Sequence, residues 1–185
     1  MPVLIEEKLI TAAEFALLDD NGQLSELVRG RIVEMNMPAP RHGYICGNTC
    51  FYLKLYLVDQ DRGRVMTNDS GVVTEHDPDT VRGADVCYYS YDRLPRGPLP
   101  KGYVDVVPEL VFEVRSPSDR WSEILQKVSE YLRAGVTAVC VLDQQTETAH
   151  VYYQNEQPQK HTAEQELTFP NILPGFHVRV GQLFA

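Results

Sequence analysis

The sequence ELVFEVRSPSD, at residues 109–119, joins an apolar strand to the start of a helix. The apolar residues of 109–115 are nearly continuous, which predicts a strand with both faces covered, as in the centre of a sheet. Residues 116–119 are a typical helix start, and they predict a helix over 119–134 that ends at Gly135. This stretch therefore predicts the centre of a sheet and a helix that packs on it.

A second strand, predicted at 138–143, follows this helix, and together they form one right-handed parallel βαβ unit within an otherwise antiparallel run. The fold class is therefore predicted as α/β, a mixed central β-sheet flanked by helices, with an N-terminal helix and hairpin. The other predicted elements are a helix after the Thr11–Glu14 capping box, hairpin strands at 25–28 and 31–35, a helix at 41–58 ended by Gly63, strands at 64–67, 71–74, 84–90 and 149–154, a weaker strand near Lys160, and a helix at 180–184.

Composition and charge are those of an ordinary globular chain. The 185 residues are 43% hydrophobic and 23% charged, which predicts one domain, 1–185, and excludes disorder, collagen and coiled coil. The chain has 17 lysines and arginines against 26 acids, for a net charge of −9. Strongly basic proteins bind phosphate backbones without specificity, and this chain should not. Nucleic-acid chemistry would need a local basic patch or metal ions.

The N-terminus and the cysteines bear on the compartment. Residues 1–10 have a short apolar patch interrupted by Glu6 and Glu7, unlike a signal peptide, and no apolar run is long enough to cross a bilayer. We therefore expect a cytoplasmic protein with no membrane partner. The four cysteines have no CxxC pair and no closely spaced histidine, which predicts buried thiols and no zinc site: Cys46, Cys50, Cys87 and Cys140.

Two acidic residues stand where a sheet does not favour them. Asp85 opens a predicted strand, and Glu113 lies in the middle of the most apolar strand, where an unpaired carboxylate is costly or protonated. Fingerprints such as GxGxxG, the P-loop, GxSxG and HExxH are absent. Acids on neighbouring strands suit a hard divalent cation such as Mg²⁺. The alternative is an ion pair between Glu113 and Arg115, since residues two apart on a strand point the same way.

Lys127 lies at the edge of the apolar stripe of the predicted helix. A lysine at such a border can bury its stem and deliver its ammonium group to acids at the end of the neighbouring strand. The alternative is an exposed i, i+4 pair with Glu123, which would contribute only a few tenths of a kcal/mol.

Segments along nearly the whole chain resemble the Uma-type restriction endonuclease family, whose members have a PD-(D/E)XK nuclease-like core. The combination of segments is specific, although each alone is weak. The segments are Glu26–Glu34 (ELVRGRIVE), Pro40–His42, Asp85-Val86, Leu110–Asp119 (LVFEVRSPSD), Lys127, Tyr131–Gly135 (YLRAG), Leu173–Phe176 (LPGF) and Leu183–Ala185 (LFA). The resemblance implies a restriction-endonuclease-like core with a metal-dependent phosphodiesterase site.

The resemblance also implies roles for individual residues. The family's PD acid falls on Asp85 and its strand acid on Glu113. Its motif lysine, moved from the strand to the following helix, falls on Lys127. The hairpin acid falls on Glu26, and the histidine at the start of the long helix falls on His42.

Two positions depart from the family pattern. Ala84 stands where the family has proline before the aspartate, a change that should hardly affect a metal ligand. Arg115 stands where related nucleases carry the strand lysine, and an arginine is too basic to accept a proton near neutral pH. Considered as residues alone, Glu26 could equally be exposed on its strand, and His42 could be a solvated residue at a helix start.

The resulting hypothesis is a Mg²⁺-dependent endodeoxyribonuclease, a hydrolase for which Mn²⁺ can replace Mg²⁺. Asp85 and Glu113 hold the metal with help from Glu26. Lys127 orients the attacking water or stabilises the developing charge. Cleavage of both DNA strands by chains with one site each is consistent with a homodimer. A local basic patch is expected from four arginines: Arg29, Arg31, Arg41 and Arg115.

Two alternatives stay open at this point. In the first, the fold persists without catalysis as an inactive nuclease-fold module for DNA or protein interaction, and the acids form a structural network with Arg115 and Lys127. In the second, the acid pair hydrolyses a small substrate. The enzyme should bind Mg²⁺ or Mn²⁺ and lose both binding and plasmid cleavage on Asp85→Ala, whereas a module should show neither effect.

Overall fold

The computed structural model describes residues 8–18 and 22–185 of the chain. In chain order, the elements of that part are α1 (Ala12–Phe15), β1 (Ser25–Val28), β2 (Arg31–Glu34), α2 (Pro40–Leu57), β3 (Gly63–Glu75), β4 (Thr80–Ser90), β5 (Leu110–Arg115), α3 (Trp121–Ala134), β6 (Ala138–Asp143), β7 (Thr148–Tyr153), β8 (Gln159–His161), β9 (Glu166–Phe169), β10 (Leu173–Arg179) and α4 (Val180–Phe184).

A mixed sheet of eight strands forms the centre of the fold. Seven strands follow the order β2-β1-β4-β5-β6-β7-β8, and β3 also pairs with β4. The β5–β6 pair is parallel and is connected by α3, whereas the remaining pairs are antiparallel. The predicted α/β fold, mixed sheet and parallel βαβ unit are therefore confirmed. β9 and β10 form a separate two-stranded sheet that the sequence analysis did not predict.

Helices cover both faces of the sheet because its central strands are apolar on both sides. All six residues of β5 and all six of β6 are buried. Ile45 and Leu53 of α2 pack on one face with Phe112, together with α4 and the small sheet. Ile124 and Tyr131 of α3 pack on the other face. Burial of each large apolar side chain contributes about 1.5–3 kcal/mol, so this layering accounts for much of the core.

β4 is the strand on which two separate pairings meet. β1 pairs with it at Val81, and β5 pairs with it at Val86–Tyr88. Among the described residues, Arg82, Gly83 and Ala84 have ladder partners only in β3, and Asp85 has no ladder partner. One further step along the β4–β5 register would set Asp85 opposite Glu113. The ladder stops before that step and leaves a gap between β4 and β5.

Several element boundaries differ from those predicted. The hairpin at β1 and β2 and the Thr11–Glu14 capping box are confirmed. Gly63 does not end α2: it begins β3, where a Cβ would collide with the carbonyl oxygen of Tyr89 on the paired strand. The strands predicted at 64–67 and 71–74 are parts of the single strand β3.

Two further boundaries move at the candidate site. Asp85 lies in the interior of β4 and does not open the strand. α3 begins at Trp121, after Asp119, because the Asp119 carboxylate accepts a hydrogen bond from the Ser116 N–H and closes a turn. Three thiols are buried as predicted, and Cys50 is half-buried.

Residues 1–7, on which the expectation of no signal peptide largely rests, lie outside the described residues, as do residues 19–21. Within residues 8–18 and 22–185, no helix is both long enough and apolar enough to cross a membrane. That residues 1–185 form one domain stays a prediction.

Alanine substitutions at two glycines should have opposite effects on stability. Gly135 ends α3 with φ of 102°, in the left-handed region where a Cβ costs about 1–2 kcal/mol. Gly135→Ala should therefore destabilise the protein. Gly47 lies on the exposed face of α2 with open space around it, so Gly47→Ala should stabilise it by about 0.5–1 kcal/mol. Urea unfolding measures both, and shifts of the same sign would contradict this placement of the helices.

Candidate active site

One cavity of about 440 Å³ opens beside the gap between β4 and β5. Each of the five residues predicted for the site comes from a different element: β1, α2, β4, β5 and α3. All five lie in the cavity wall: Glu26, His42, Asp85, Glu113 and Lys127. The structure therefore brings together residues that are distant in the sequence, and their roles stay a prediction.

The Asp85 carboxylate is held where β4 and β5 separate. Its Oδ2 accepts a hydrogen bond from the backbone N–H of Val114 at 2.6 Å and lies 3.3 Å from Nε2 of His42. The Asp85 side chain is only 8% exposed. Because buried backbone N–H groups need an acceptor, this carboxylate takes the place of a ladder partner, and its position is fixed by the fold.

Glu113 is a buried carboxyl group with little positive charge beside it. Its Oε1 accepts a hydrogen bond from the Tyr131 hydroxyl at 2.9 Å, and its Oε2 lies 3.7 Å from Nζ of Lys127. Burial raises the pKa of Glu113 to about 8, and the charges of Asp85 and Glu26 add to this effect while Lys127 opposes it. Glu113 therefore holds a proton more readily than an ordinary glutamate.

Lys127 reaches the acids and not the solvent. Its Nζ lies 2.7 Å from Oε1 of Glu26 and 3.7 Å from Oε2 of Glu113. Burial alone would lower the pKa of Lys127, but the two carboxylates raise it above its ordinary value, so the ammonium group is charged at neutral pH. The alternative of an exposed pair with Glu123 is wrong, since Glu123 pairs with Arg120.

Glu26 is buried. The alternative that this hairpin residue is exposed is therefore wrong. Its Oε1 also accepts a hydrogen bond from the Gly83 N–H at 3.1 Å, and its Oε2 accepts one from Nη1 of Arg82 at 2.8 Å. Arg82 donates in turn to both carboxylate oxygens of Glu130, at 2.6 and 3.1 Å. Acidic and basic side chains therefore alternate along a buried chain of five residues: Glu130, Arg82, Glu26, Lys127 and Glu113.

His42 and Cys46 lie one turn apart on α2, beside Asp85. Nδ1 of His42 is 3.5 Å from Sγ of Cys46. Burial would lower the pKa of His42, but the hydrogen bond to Asp85 and the charges of Asp69 and Glu113 raise it. The prediction that no cysteine has a closely spaced histidine is wrong for Cys46, because positions i and i+4 of a helix share one face.

Asp69 is a cavity residue that the sequence analysis missed. The β3–β4 register shifts between Thr67 and Ser70, so Asn68 and Asp69 together stand opposite Asp85, and both have positive φ. Burial and the charge of Asp85 raise the pKa of Asp69. The available signal for this bulge was the pair Asn68-Asp69, because both residue types tolerate left-handed backbone. A turn between two strands gives the same pattern.

The expected basic patch is not present at the cavity. Arg115 is buried and binds Asp143 at 3.0 Å, because the parallel register of β5 and β6 sets these two residues side by side. The alternative for Glu113 required an ion pair with Arg115. Arg115 instead pairs with Asp143. Arg41 binds Glu147 at 2.6 Å. The four predicted arginines are all outside the cavity wall: Arg29, Arg31, Arg41 and Arg115.

The cavity wall has the composition that a divalent cation prefers. Among the described residues of the wall, carboxyl groups greatly outnumber basic side chains, which are Lys127 and His42. Oxygen donors in excess of positive charge are the ligands that Mg²⁺ and similar hard ions take. Asp85 and Glu113 flank the gap in the sheet and are the residues that would hold such an ion. The carboxyl groups of the wall belong to Glu26, Asp69, Asp85, Glu113, Asp119 and Glu123.

Comparison with known proteins gives a family and a similar fold. The family Uma2, described as "Putative restriction endonuclease", matches residues 12–181. Among solved structures, the crystal structure of a "putative nuclease belonging to DUF820" from Anabaena variabilis is similar, with a TM-score of 0.79 and 19% identity over 95% of this chain and 97% of that one. At this identity the likeness shows the fold alone. None of the curated proteins matches the chain.

Replacing Arg82 with methionine should destabilise the fold strongly. Glu26 and Glu130 would keep buried charges without their shared partner, and breaking a buried ion pair in this way costs about 3–5 kcal/mol. Arg96→Met is the matched control, because Arg96 forms an exposed ion pair with Asp61, and its loss should change the free energy of unfolding little. Urea unfolding compares the two variants, and equal losses would contradict this account.

Proposed function

This chain belongs to the Uma2 family, and from that membership together with the geometry of the cavity we propose that it is a metal-dependent endonuclease that hydrolyses DNA phosphodiester bonds. The observation that carries the proposal is the meeting of Asp85, Glu113 and Lys127 in one cavity. Two acids and a buried cation are the groups that hydrolysis of a phosphodiester requires: ligands for a metal ion and a fixed positive charge for the transition state.

Asp85 and Glu113 would hold Mg²⁺, with Mn²⁺ as a substitute. When bound, the ion supplies Lewis-acid charge that polarises the scissile phosphate and makes water more acidic. The chain's own groups orient both carboxyls. The Val114 N–H and His42 hold Asp85, and the Tyr131 hydroxyl holds Glu113, so hydrogen bonds orient both acids before a cation enters.

Lys127 would stabilise the negative charge that develops on the phosphate. The raised pKa keeps its ammonium group charged, so Lys127 serves as a fixed cation and not as a general base. Glu26 would act chiefly by positioning Lys127 at 2.7 Å, because its two oxygens already accept hydrogen bonds from Arg82 and Gly83 as well.

DNA would enter this cavity only together with a cation. The wall is acidic, and the whole chain has a net charge of −9, so phosphate groups are repelled until a divalent ion offsets the carboxylates. Because each chain would supply one such site, cutting both strands would take a homodimer or two successive events.

One of the two alternatives is a module without catalysis. Its structural network was expected to include Arg115, which binds Asp143 elsewhere. The network that the described residues do form, Glu26 with Lys127 and Glu113, would serve either function. A measurement of metal-dependent cleavage therefore distinguishes the nuclease from the module without catalysis.

Single substitutions should separate metal binding from cleavage. Asp85→Asn should remove both Mg²⁺ binding and plasmid cleavage, because it deletes a charged ligand. Lys127→Met should lower the cleavage rate by about 10²–10³-fold while Mg²⁺ still binds, since it removes the stabilising cation and retains both proposed metal ligands, Asp85 and Glu113. Calorimetry measures binding, and nicking of supercoiled plasmid measures cleavage.

Glu123→Gln is the matched control for these variants. Its carboxyl group lines the same cavity but is exposed and pairs with Arg120, so both activities should persist. A wild-type protein that neither binds Mg²⁺ nor nicks plasmid would favour the inactive module. Cleavage that survives Asp85→Asn would exclude this site as its source.

Mg²⁺ affinity should increase as the pH rises through about 8. The pKa of Glu113 is raised to about 8, and its carboxyl group must lose a proton before it binds a cation. Binding at neutral pH should therefore release protons, so that the heat measured by calorimetry depends on the ionisation heat of the buffer. This dependence should disappear at clearly alkaline pH. A heat that is the same in all buffers at neutral pH would contradict the role of Glu113.

A further inference from the structure

His42, Cys46 and Asp85 form a second group of metal ligands at the edge of the cavity. One ligand atom of each residue lies within 4.8 Å of the other two. His42 is central, with Nδ1 3.5 Å from Sγ of Cys46 and Nε2 3.3 Å from Oδ2 of Asp85. Cys46 is 9% exposed, so its thiol is shielded from bulk solvent.

The chemistry of this group differs from that of the carboxylate pair. Thiolate and imidazole are ligands of Zn²⁺ and other late first-row ions, whereas Mg²⁺ takes oxygen ligands. Zinc bonds of about 2.0–2.3 Å keep the ligand atoms of a tetrahedral site within roughly 4 Å of one another, so shifts of about 1 Å or less would close the group around an ion. Two ligands one helical turn apart are a common arrangement in zinc sites.

Cys50 provides an internal comparison. It lies one turn beyond Cys46 on the same helix, is half-buried and packs against the apolar core. Within the described part of the chain, the metal-ligand group includes Cys46 and not Cys50. The two thiols therefore share a helix and differ in whether a histidine and an aspartate face them.

We propose that His42, Cys46 and Asp85 bind one Zn²⁺ ion, with water in the fourth position. The Cys46 thiol loses its proton to solvent as the sulfur–zinc bond forms. Asp85 is common to both sites, so Zn²⁺ bound here withdraws a ligand from Mg²⁺ and inhibits cleavage. The inhibition rests on the function proposed above, whereas the Zn²⁺ site does not.

Cobalt is the probe for the site, because Co²⁺ enters zinc sites and its thiolate complexes absorb in the near ultraviolet by charge transfer. Reduced, metal-stripped protein titrated with Co²⁺ should develop this band, and Zn²⁺ should remove it. Cys50→Ser should keep the band and Cys46→Ser should lose it. Zn²⁺ should bind Cys46→Ser at least about tenfold more weakly, since even loss of an indirect supporting group costs that much.

The outcomes separate the site from the proposed function. A missing band in the wild type, or a band that persists in Cys46→Ser, overturns the Zn²⁺ site. Circular dichroism checks that Cys46→Ser is folded, and His42→Asn, which should also lose the band, tests a second ligand. With Mg²⁺, Cys46→Ser should still cleave DNA, and Zn²⁺ should inhibit it less than it inhibits the wild type. If Zn²⁺ inhibits both proteins equally, the proposal that Zn²⁺ inhibits through this site is overturned. A Cys46-dependent band without Mg²⁺-dependent cleavage leaves the site standing and refutes the nuclease.

Discussion

Backbone hydrogen bonding at the gap between β4 and β5 is the constraint on which the site depends. The N–H groups of Gly83 and Val114 donate there to side-chain carboxylates, those of Glu26 and Asp85. An unpaired buried N–H costs about as much as a lost hydrogen bond. These acids therefore stabilise the sheet as hydrogen-bond acceptors, whether or not they also take part in a reaction. Fold and site are therefore coupled. Truncating either acid removes a charge and a backbone acceptor together, and this is why isosteric substitutions are the informative ones.

Burying these acids also creates an imbalance of charge. Arg82 and Lys127 compensate Glu26, whereas Glu113 has only the neutral Tyr131 hydroxyl and a lysine at 3.7 Å that is closer to another acid. Low dielectric makes each uncompensated charge expensive, which is why the pKa of Glu113 is raised. A bound cation would lower that cost more effectively than a proton, because it can serve several carboxylates at once. The cost of burying these acids would thus contribute to affinity for a divalent ion.

Local signals in the sequence were sufficient for much of the fold. Strand β5, the hairpin and the amphipathic α3 follow from short-range patterns, and the edge position of Lys127 follows from helical rotation alone. The bend in β3 could not be recognised, because Asn68 and Asp69 look like a turn when the pairing with β4 is unknown. The compensating partner Arg82 was beyond prediction for a similar reason, since tertiary packing alone brings distant elements together. Sequence patterns identified the acids and left their partners open.

In the proposed function, the acidic cavity would couple the binding of a cation to the approach of a polyanion. Two like charges in a poorly solvated site repel strongly, so a phosphate and the ionised pair of Asp85 and Glu113 are compatible only with a positive ion between them. Linkage between two bound ligands is reciprocal. If the cation increases the affinity of the cavity for a phosphodiester by some factor, the phosphodiester must increase its affinity for the cation by the same factor. Lys127 cannot replace the ion, because its charge is already shared by Glu26 and Glu113. The negative charge that would oppose non-specific binding to DNA is therefore the same property that would make a metal ion a condition for entry of DNA to the site.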